Sequence, residues 1–401
     1  MPAPEPDATQ KPLTILIGAD TYPPHVNGAA QFGYRLAKGM TARGHRVHVA
    51  ACRAEKGASF AETRSEAVVH RLRSHSVPTH EYFRIVFPWE VKKEISALFD
   101  QVQPDVVHIQ SHYMIGEHVL YEAVKRGIRV VATNHFMPEN LNPFLPFPQW
   151  FKDVIGRISW KDMGKVMGKA DVVTTPTPLA AKAMRDHAFL REVQPLSNGI
   201  DVAAYEPRPG EDPAPNPYPT VLFVGRLAEE KHVDVLIKAL AQTPVELDVH
   251  LEIAGGGEVR PALEALVDRL GLRSRVRFLG LVSDEELRAT YLRADLFCMP
   301  GTAELQSLVT LEAMSASTPV VLADAMALPH LVVEGENGYL FSPNDPEDLA
   351  EKITAVLGAP ADERRRMGAA SHAMVQKHGI KATLDTFEAL YRGVDGTAGR
   401  V

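Results

Sequence analysis

Short apolar runs alternate with helical patterns along most of the chain, and this alternation restricts the fold more than any other feature. The runs have the length of buried strands, and the segments between them space apolar residues as on a helix face. The predicted strands are 13–20, 46–52, 104–110, 129–135, 170–176, 220–226, 249–257, 294–300 and 318–324. The predicted helices include 31–45, 117–127 and 234–243. Because parallel strands need helical crossovers, the sequence predicts an α/β fold with doubly wound parallel sheets.

A proline-rich segment interrupts this alternation. Residues 206–219, EPRPGEDPAPNPYP, contain six prolines and almost no apolar residues, which is typical of a linker. A chain of 401 residues is also long for one hydrophobic core. We therefore predict a disordered tail over 1–12, a first domain over 13–205 and a second domain over 220–375. Doubly wound sheets bind ligands at the carboxyl ends of their strands, and we expect the two Rossmann-like domains to face each other across a cleft.

Composition excludes several classes of protein. The net charge of −7 argues against a general nucleic-acid-binding protein, which would have a basic excess. Cys52 and Cys298 lie far apart and form neither a disulfide framework nor a zinc motif, which favours a reducing cytoplasm. The polar, proline-rich N-terminus does not resemble a signal peptide, and no apolar stretch is long enough to span a membrane. We expect a cytoplasmic protein that acts on a membrane, if at all, from its surface.

Two loops that follow predicted strands are candidates for phosphate binding. Gly28 lies at the start of a predicted helix, where a glycine lets the backbone approach a phosphate and free N–H groups point outward. The alternative is an ordinary Asn-Gly turn. In the second domain, Arg226 and Lys231 follow the strand 220–226, and an anionic ligand would explain both cations. The alternative is a solvated loop in which Lys231 pairs with one of the two preceding glutamates.

Two further strand ends have functional and structural interpretations. His135 ends the strand 129–135, where a ligand is expected, although most histidines in such places only donate structural hydrogen bonds. A metal site built from His108, His112 and His135 stays open, but no ligand spacing favours it. The three glycines of 255–257 indicate a tight turn with some proximity to a ligand.

Glu304 and Glu312 are eight positions apart in a largely apolar segment. If the segment were wholly helical, the two residues would be separated by about 12 Å along the axis. The carboxyl groups of glycosidases lie about 5–5.5 Å or 6.5–9.5 Å apart, so this spacing does not fit a hydrolytic pair. It fits an anionic ligand that lies along a helix start, with the amides of "SLVT", which begins at Ser307 and Leu308, facing its middle.

These motifs together resemble family 4 of the glycosyltransferases, a retaining, nucleotide-sugar-dependent group with the GT-B fold. The resemblance spans nearly the whole chain. Its elements are Asn27-Gly28, His135, "SNGID" at 197–201, "VGRLAEEKH" at 224–232, "AGGGE" at 254–258 and the Glu304–Glu312 pair.

The resemblance implies a role for each candidate at the donor diphosphate. Gly28 would approach the diphosphate from the first domain. Arg226 and Lys231 would neutralise it as a leaving group, and Ser307 and Leu308 would contribute to donor binding. No Asp-x-Asp pair of the kind that holds a metal on the diphosphate occurs in the sequence, so no metal and no other cofactor is expected.

The resemblance also implies roles around the sugar. Glu312 would bind the ribose hydroxyls, Glu304 would contact the donor sugar and His135 would align it. The transferred hexosyl group would keep its anomeric configuration, with the departing phosphate helping to take the acceptor's proton. A C-terminal helix over 376–395 would return to the first domain.

The sequence departs from the family pattern beside Glu304. Many members have Ser-Phe-Gly there, whereas this chain has Leu305-Gln306-Ser307, and Gln306 is then a candidate to face the sugar. Two other functions remain open: a sugar-nucleotide epimerase of the GT-B fold, and a non-catalytic protein that binds nucleotide sugars. Neither the donor, UDP- or GDP-linked, nor the sugar is fixed by the sequence.

The segment 141–170 mixes aromatic residues with cations. Arg157, Lys161, Lys165 and Lys169 recur at a spacing of four and form a basic ridge on a predicted helix, while Val154, Ile155 and Ile158 form an apolar face. Such a ridge beside exposed aromatic residues can bind an anionic membrane, here through residues 150–169, and makes a lipid acceptor plausible beside a small-molecule or glycan hydroxyl. The alternative is a solvated helix whose apolar side packs inward.

Overall fold

The structure is a computed structural model that describes residues 11–25, 27–77, 80–138, 148–211 and 216–394. The chain divides into two compact units. Unit 1 comprises the residues up to Ser197 together with those from Ala382 onward, and unit 2 comprises Asn198–Lys381. Most of the predicted tail, 1–12, and the centre of the proline-rich segment lie outside the described residues.

Unit 1 is built on a sheet with the order β10-β9-β8-β7-β1-β2-β4-β3. All of its pairs are parallel except that of β3 with β4, and a separate hairpin pairs β5 with β6. The strands are β1 Thr14–Ala19, β2 Arg46–Cys52, β3 Phe60–Thr63, β4 Val68–Leu72, β5 His75–Val77, β6 His80–Ile85, β7 Val106–Ile109, β8 Arg129–Thr133, β9 Val172–Thr175 and β10 Gln194–Pro195. The helices are α1 Gly28–Ala42, α2 Pro88–Val102, α3 Met114–Lys125, α4 Gln149–Met167, α5 Pro178–His187 and, at the C-terminus, α12 Ile380–Tyr391.

Unit 2 is built on a wholly parallel sheet with the order β13-β12-β11-β14-β15-β16. Its strands are β11 Thr220–Val224, β12 His250–Ala254, β13 Val276–Gly280, β14 Leu296–Met299, β15 Val320–Ala323 and β16 Gly338–Phe341. Its helices are α6 Val233–Leu240, α7 Arg260–Arg269, α8 Asp284–Arg293, α9 Leu308–Ser315, α10 Pro346–Leu357 and α11 Ala361–Val375. The four central strands, β11, β12, β14 and β15, are almost entirely buried because helices cover both faces of such a sheet.

The predicted α/β class with two doubly wound units is confirmed, and β2 coincides with the predicted strand 46–52. The division between the units falls at Ser197 and Asn198, before the predicted linker 206–219. Residues that precede β11 already bond within unit 2, since the guanidinium of Arg288 donates to the backbone oxygens of Ala204 and Glu206. These bonds explain why the unit begins earlier than the proline content suggests.

The last helix belongs to unit 1 from Ala382 onward. The hydroxyl of Tyr391 lies 2.5 Å from Nδ1 of His108 in β7. In the same helix, the carboxylates of Asp385 and Glu388 accept hydrogen bonds from Arg43 at 2.6 and 2.9 Å. This helix begins at Ile380, four residues inside the predicted 376–395, because 376–378 form a separate 3₁₀ turn.

Across the described ranges, we find no helix long and apolar enough to cross a membrane.

Candidate active site

Two loops lie against each other at the carboxyl ends of β11 and β12. A Cβ on Gly255 would lie 1.9 Å from the carbonyl oxygen of Gly225, and one on Gly257 would lie 2.2 Å from that of Leu227. Both glycines also have positive φ angles, 137° and 159°. Only glycine permits this close approach of two backbones. The glycines predicted as a tight turn therefore fix the loop that carries Arg226.

Lys231 ends a 3₁₀ turn, Glu229–Lys231, that follows β11. Its Nζ donates to Oε1 of Glu304, which lies beyond the end of β14, the neighbouring strand in the sheet. The side chains of Lys231 and Glu304 are 21% and 12% exposed, so the ion pair is largely shielded from water. The structure thus joins two predicted site residues that are distant in the sequence, and the alternative pairing of Lys231 with Glu229 or Glu230 is wrong.

Arg226 is also paired with carboxylates. Its Nη2 donates to Oε1 of Glu230, and its Nη1 lies 3.6 Å from Oε1 of Glu258. The second carboxylate oxygen of Glu230 is buried and has no hydrogen-bond partner among the described residues. Both cations of this loop are therefore paired with glutamates.

Glu304 and Glu312 do not share one helix. The helix α9 begins at Leu308, so the segment from Glu304 to Ser307 leads into it as a loop. The geometry expected for a wholly helical segment is therefore wrong. Glu312 is buried, and its carboxylate accepts a hydrogen bond of 2.9 Å from the hydroxyl of Tyr291.

Ser307 and Leu308 form the start of α9. Ser307 precedes the helix with an extended backbone, and its hydroxyl accepts a hydrogen bond from Thr310 instead of capping a backbone N–H. The first N–H groups of a helix have no partner within the helix and attract anions. Gln306 is buried and its amide oxygen accepts a hydrogen bond of 2.9 Å from the backbone of Asn198. Gln306 therefore fixes the backbone at Asn198, a structural role that the sequence did not indicate.

Gly28 is the first residue of α1 in unit 1. The side chain of Asn27 caps the helix by accepting a hydrogen bond from the backbone N–H of Ala30. Gly28 is exposed, and a Cβ built on it would have no neighbour within 4 Å among the described residues. The position is thus both an Asn-Gly capping turn and an open helix start.

His135 follows β8 and lies against α1. Its ring centroid is 4.6 Å from that of Phe32, and its Nε2 has no hydrogen-bond partner in the described part of the chain. Burial lowers the pKa of His135 to about 3, so the imidazole is neutral at physiological pH. A neutral imidazole can exchange hydrogen bonds with a hydroxyl group but carries no charge to offer a phosphate.

The other two histidines of unit 1 do not form a metal site with His135. His108 uses both ring nitrogens, towards Tyr391 and Thr133, and His112 is fully buried with no partner for either nitrogen among the described residues. In those same ranges, no three His, Cys, Asp or Glu side chains are grouped so that they could hold a metal ion.

Comparison with known proteins decides the family. Residues 26–204 match the family described as Glycosyltransferase Family 4, and residues 208–374 match Glycosyl transferases group 1. A D-inositol 3-phosphate glycosyltransferase from Xylanimonas cellulosilytica is 30% identical over 304 residues, which cover 69% of this chain and 68% of that protein. The chain belongs to family 4 of the glycosyltransferases. The resemblance predicted from the motifs is confirmed, and so is the transferase activity that it implies.

Other glycosyltransferases match over almost the full length of this one. A GDP-mannose-dependent alpha-mannosyltransferase from Mycolicibacterium smegmatis is 26% identical over 390 residues, 96% of this chain and 98% of the relative. The solved structure of a sucrose-phosphate synthase from Thermosynechococcus elongatus aligns with a TM-score of 0.78 at 21% identity, covering 96% of this chain and 99% of the other. The likeness to that structure confirms the predicted GT-B fold.

The sequence missed two polar residues at strand ends of this glycosyltransferase. Asp20 follows β1, and its carboxylate accepts hydrogen bonds from Ser111 and from the backbone N–H of Ile115. Burial raises the pKa of Asp20 to about 6. Gln110 follows β7 and is buried. Asp20 could have been predicted from its position directly after the apolar run LTILIGA, because carboxylates at strand ends are common in ligand sites.

The helix α4 presents its predicted basic ridge to solvent. Arg157, Lys161 and Lys165 are exposed, and so is Lys169, which follows the end of the helix. Of the predicted apolar face, Ile158 is 62% exposed, whereas Val154 and Ile155 are partly buried. The buried face of the helix instead consists of Ser159, Trp160, Met163, Val166 and Met167.

Proposed function

We propose that this glycosyltransferase transfers a hexosyl group, with retention of configuration, from a GDP- or UDP-linked sugar to a hydroxyl acceptor carried by a lipid. The observation that carries the proposal is the shielded Lys231–Glu304 ion pair between the ends of β11 and β14. The GDP-mannose dependence of the Mycolicibacterium relative supports a nucleotide-sugar donor.

Donor binding exchanges the partners of the two cations. Arg226 and Lys231 leave the carboxylates of Glu230 and Glu304 and pair with the diphosphate oxygens, which match a guanidinium fork and an ammonium. The cations then stabilise the charge that develops on the departing phosphate, which accounts for a large part of the barrier reduction. This exchange releases Glu304 to accept a hydrogen bond from the donor sugar.

The remaining candidates take roles that suit their local environment. In this proposal the N–H groups at the start of α9, with Ser307 and Leu308, bind phosphate oxygens of the donor, and the start of α1 at Gly28 offers N–H groups of the same kind. Glu312, oriented by Tyr291, accepts hydrogen bonds from the ribose.

His135 is a poor general base because its pKa lies near 3. In the proposed mechanism it therefore aligns the sugar, and the departing phosphate takes the acceptor's proton. The cations supply the positive charge that a metal ion supplies elsewhere, so the reaction is proposed to be metal-independent.

The exposed face of α4 supports an acceptor held in an anionic membrane. Trp150 is 67% exposed and Ile158 is 62% exposed. Trp150 lies seven residues, about two helical turns, before Arg157, and Ile158 lies three residues before Lys161, so both are on the same side of α4 as the basic ridge. Aromatic and apolar side chains that enter a bilayer surface, with cations beside them for the lipid phosphates, are typical of interfacial helices.

A thermal-shift screen with GDP-mannose, UDP-glucose, GDP and UDP, followed by a transfer assay, tests the donor part. We expect one nucleotide sugar to stabilise the protein and to release its nucleotide only when an acceptor is present, with excess chelator having no effect. D-inositol 3-phosphate and methyl α-mannoside serve as soluble acceptors beside lipid extracts. Release of a free epimerised sugar without an acceptor would identify an epimerase, and binding without release under any condition would identify a non-catalytic binding protein.

A vesicle co-sedimentation assay tests the membrane part. Phosphatidylcholine vesicles with and without about one-third phosphatidylglycerol are compared. Because each cation near an anionic surface contributes about 1 kcal/mol, the double substitution Lys161→Glu/Lys165→Glu should weaken binding at least tenfold. The matched control reverses two exposed cations of α11 in unit 2, Arg365→Glu/Arg366→Glu. If both variants lost the same share of vesicle binding, the binding would depend on the net charge of the protein and not on α4.

A further inference from the structure

Gln110 is a buried side chain whose amide group has no hydrogen-bond partner among the residues that the structure describes. It follows β7 directly and is 4% exposed. Its backbone N–H donates to the oxygen of Gly18 in β1, which fixes the residue at the carboxyl ends of these neighbouring strands. Neither Oε1 nor Nε2 of its side chain has a partner among the described residues.

The helix α1 leaves space for this amide. A Cβ on Gly33 would lie 2.7 Å from Nε2 and 2.9 Å from Oε1 of Gln110, so no other residue fits there without displacing the side chain. The preceding residue, Phe32, contacts the ring of His135. Consecutive residues of α1 thus lie against Gln110 and against His135, whose Nε2 also has no partner in the described ranges.

An unpartnered buried amide is unfavourable in the free protein. Leaving such a group unsatisfied costs about 1–3 kcal/mol, and a methionine of similar shape would avoid that cost. Gln306 in unit 2 provides a contrast, because it is equally buried yet accepts a hydrogen bond from Asn198. Gln306 therefore has a structural function that Gln110 lacks.

The chemistry of this cluster fits hydroxyl groups. Gln110 can donate and accept at the same time, and the neutral imidazole of His135 can do either, but neither carries a charge. Paired donors and acceptors without charge match the hydroxyls of a sugar ring and offer little to a phosphate. Among the described residues, the Gln110 amide makes no hydrogen bond that would have to break when it binds a ligand.

We propose that Gln110 binds a hydroxyl group of a sugar substrate beside His135. The inference rests on the proposed glycosyl transfer and adds a substrate-binding residue to unit 1. The hydroxyl belongs either to the transferred hexose or to the acceptor, and the two sources predict different kinetic effects.

The test compares Gln110→Met with the matched variant Gln306→Met. The methionine at 110 removes an unpartnered amide, so the melting temperature should equal or exceed that of the wild type, whereas Gln306→Met should lower it. If the hydroxyl is on the donor, Gln110→Met should weaken nucleotide-sugar binding about five- to tenfold while leaving free nucleotide binding unchanged. If it is on the acceptor, donor binding should be unchanged and the acceptor KM should rise by a similar factor.

Two results would overturn the inference. A fall in melting temperature for Gln110→Met like that of Gln306→Met would show that the amide has a structural partner, such as a buried water molecule, and this readout needs no substrate. Wild-type binding and kinetic constants in Gln110→Met would show that no substrate uses the amide. Failure of the proposed function looks different, since the wild-type protein itself would then neither bind nor transfer a nucleotide sugar.

Discussion

The two units hold their polar site residues in opposite ways. In unit 2, Arg226, Lys231 and Glu304 are charged and are paired with one another or with neighbouring glutamates. In unit 1, Gln110 and His135 are neutral and have atoms without hydrogen-bond partners among the described residues. An unpaired charge in a shielded place is far more costly than an unpaired neutral group, so only the neutral set can be left open in the free protein.

This difference indicates how each unit would meet its ligand. Unit 2 must exchange existing ion pairs for ligand contacts, so part of the binding energy replaces interactions already present. Unit 1 gains hydrogen bonds without breaking any at these atoms. We therefore expect charge substitutions in unit 2 to reduce transfer strongly, and substitutions of the neutral groups in unit 1 to act mainly on affinity and stability.

The largest effect should come from Lys231→Ala. Loss of one charge donor to the departing phosphate should reduce kcat by about 10²- to 10³-fold, as removal of single oxyanion donors does in other enzymes. Single-turnover transfer assays measure this step. The matched control is Lys238→Ala, which removes an exposed lysine of α6 that pairs with Asp234 at 2.7 Å. A wild-type kcat in Lys231→Ala would contradict the proposal that the cations of unit 2 stabilise the departing phosphate.

Acid should destabilise the protein through the neutral histidines of unit 1. Burial lowers the pKa of His112 from 6.5 to about 4, so between these values the unfolded chain binds a proton that the folded chain does not. The free energy of unfolding therefore falls as the pH drops through this window, by on the order of 3 kcal/mol for this residue. Urea unfolding at about pH 8 and pH 4.5 measures the difference.

His112→Leu removes this titration and should unfold with a smaller loss of stability between the two pH values. Its stability at about pH 8 serves as the reference, so that packing changes do not enter the comparison. An acid-induced loss equal to that of the wild type would show that His112 is not held neutral by burial.

A smaller effect is expected from Tyr291→Phe in unit 2. The buried carboxylate of Glu312 would lose the hydrogen bond from the Tyr291 hydroxyl, which should lower the free energy of unfolding by about 1.5–2 kcal/mol. Donor affinity should fall several-fold because Glu312 is then less well oriented. Chemical unfolding and donor titration measure the two quantities. Tyr218→Phe, at an exposed tyrosine, should change neither.

Most of the central strands could be predicted from the sequence, whereas the segment between β2 and α2 and the strands β10, β13 and β16 were missed. Strands with continuous apolar runs, such as Arg46–Cys52, are recognisable because both faces of the sheet are covered. The edge strand Phe60–Thr63 is mostly exposed and the hairpin of β5 and β6 is short, so neither has such a run. Their place follows from pairing with distant strands, which a local pattern does not contain.

The site could be predicted as a set of residue types but not as a set of contacts. Arg226, Lys231 and Glu304 stand out in the sequence, yet Lys231 has two adjacent glutamates and bonds to a third that is 73 positions away. Only the adjacency of β11 and β14 in the sheet brings that pair together. Gln110 gave no signal at all, because an unpartnered amide is a property of the packed structure.

The smallest expected effect is the salt dependence of ligand affinity, which should differ between the two units. Raising the ionic strength from about 0.05 M to 0.5 M shortens the Debye length from about 14 Å to 4 Å, which weakens attraction between a diphosphate and the partly exposed Arg226. Free-nucleotide affinity should fall a few-fold, since shielding of Lys231 limits the loss. Neutral hydroxyl contacts are insensitive to salt, so the affinity ratio between Gln110→Met and the wild type should stay constant. A ratio that changes with salt would mean that Gln110 acts on the charged part of the ligand, and the contrast between the two units would not hold.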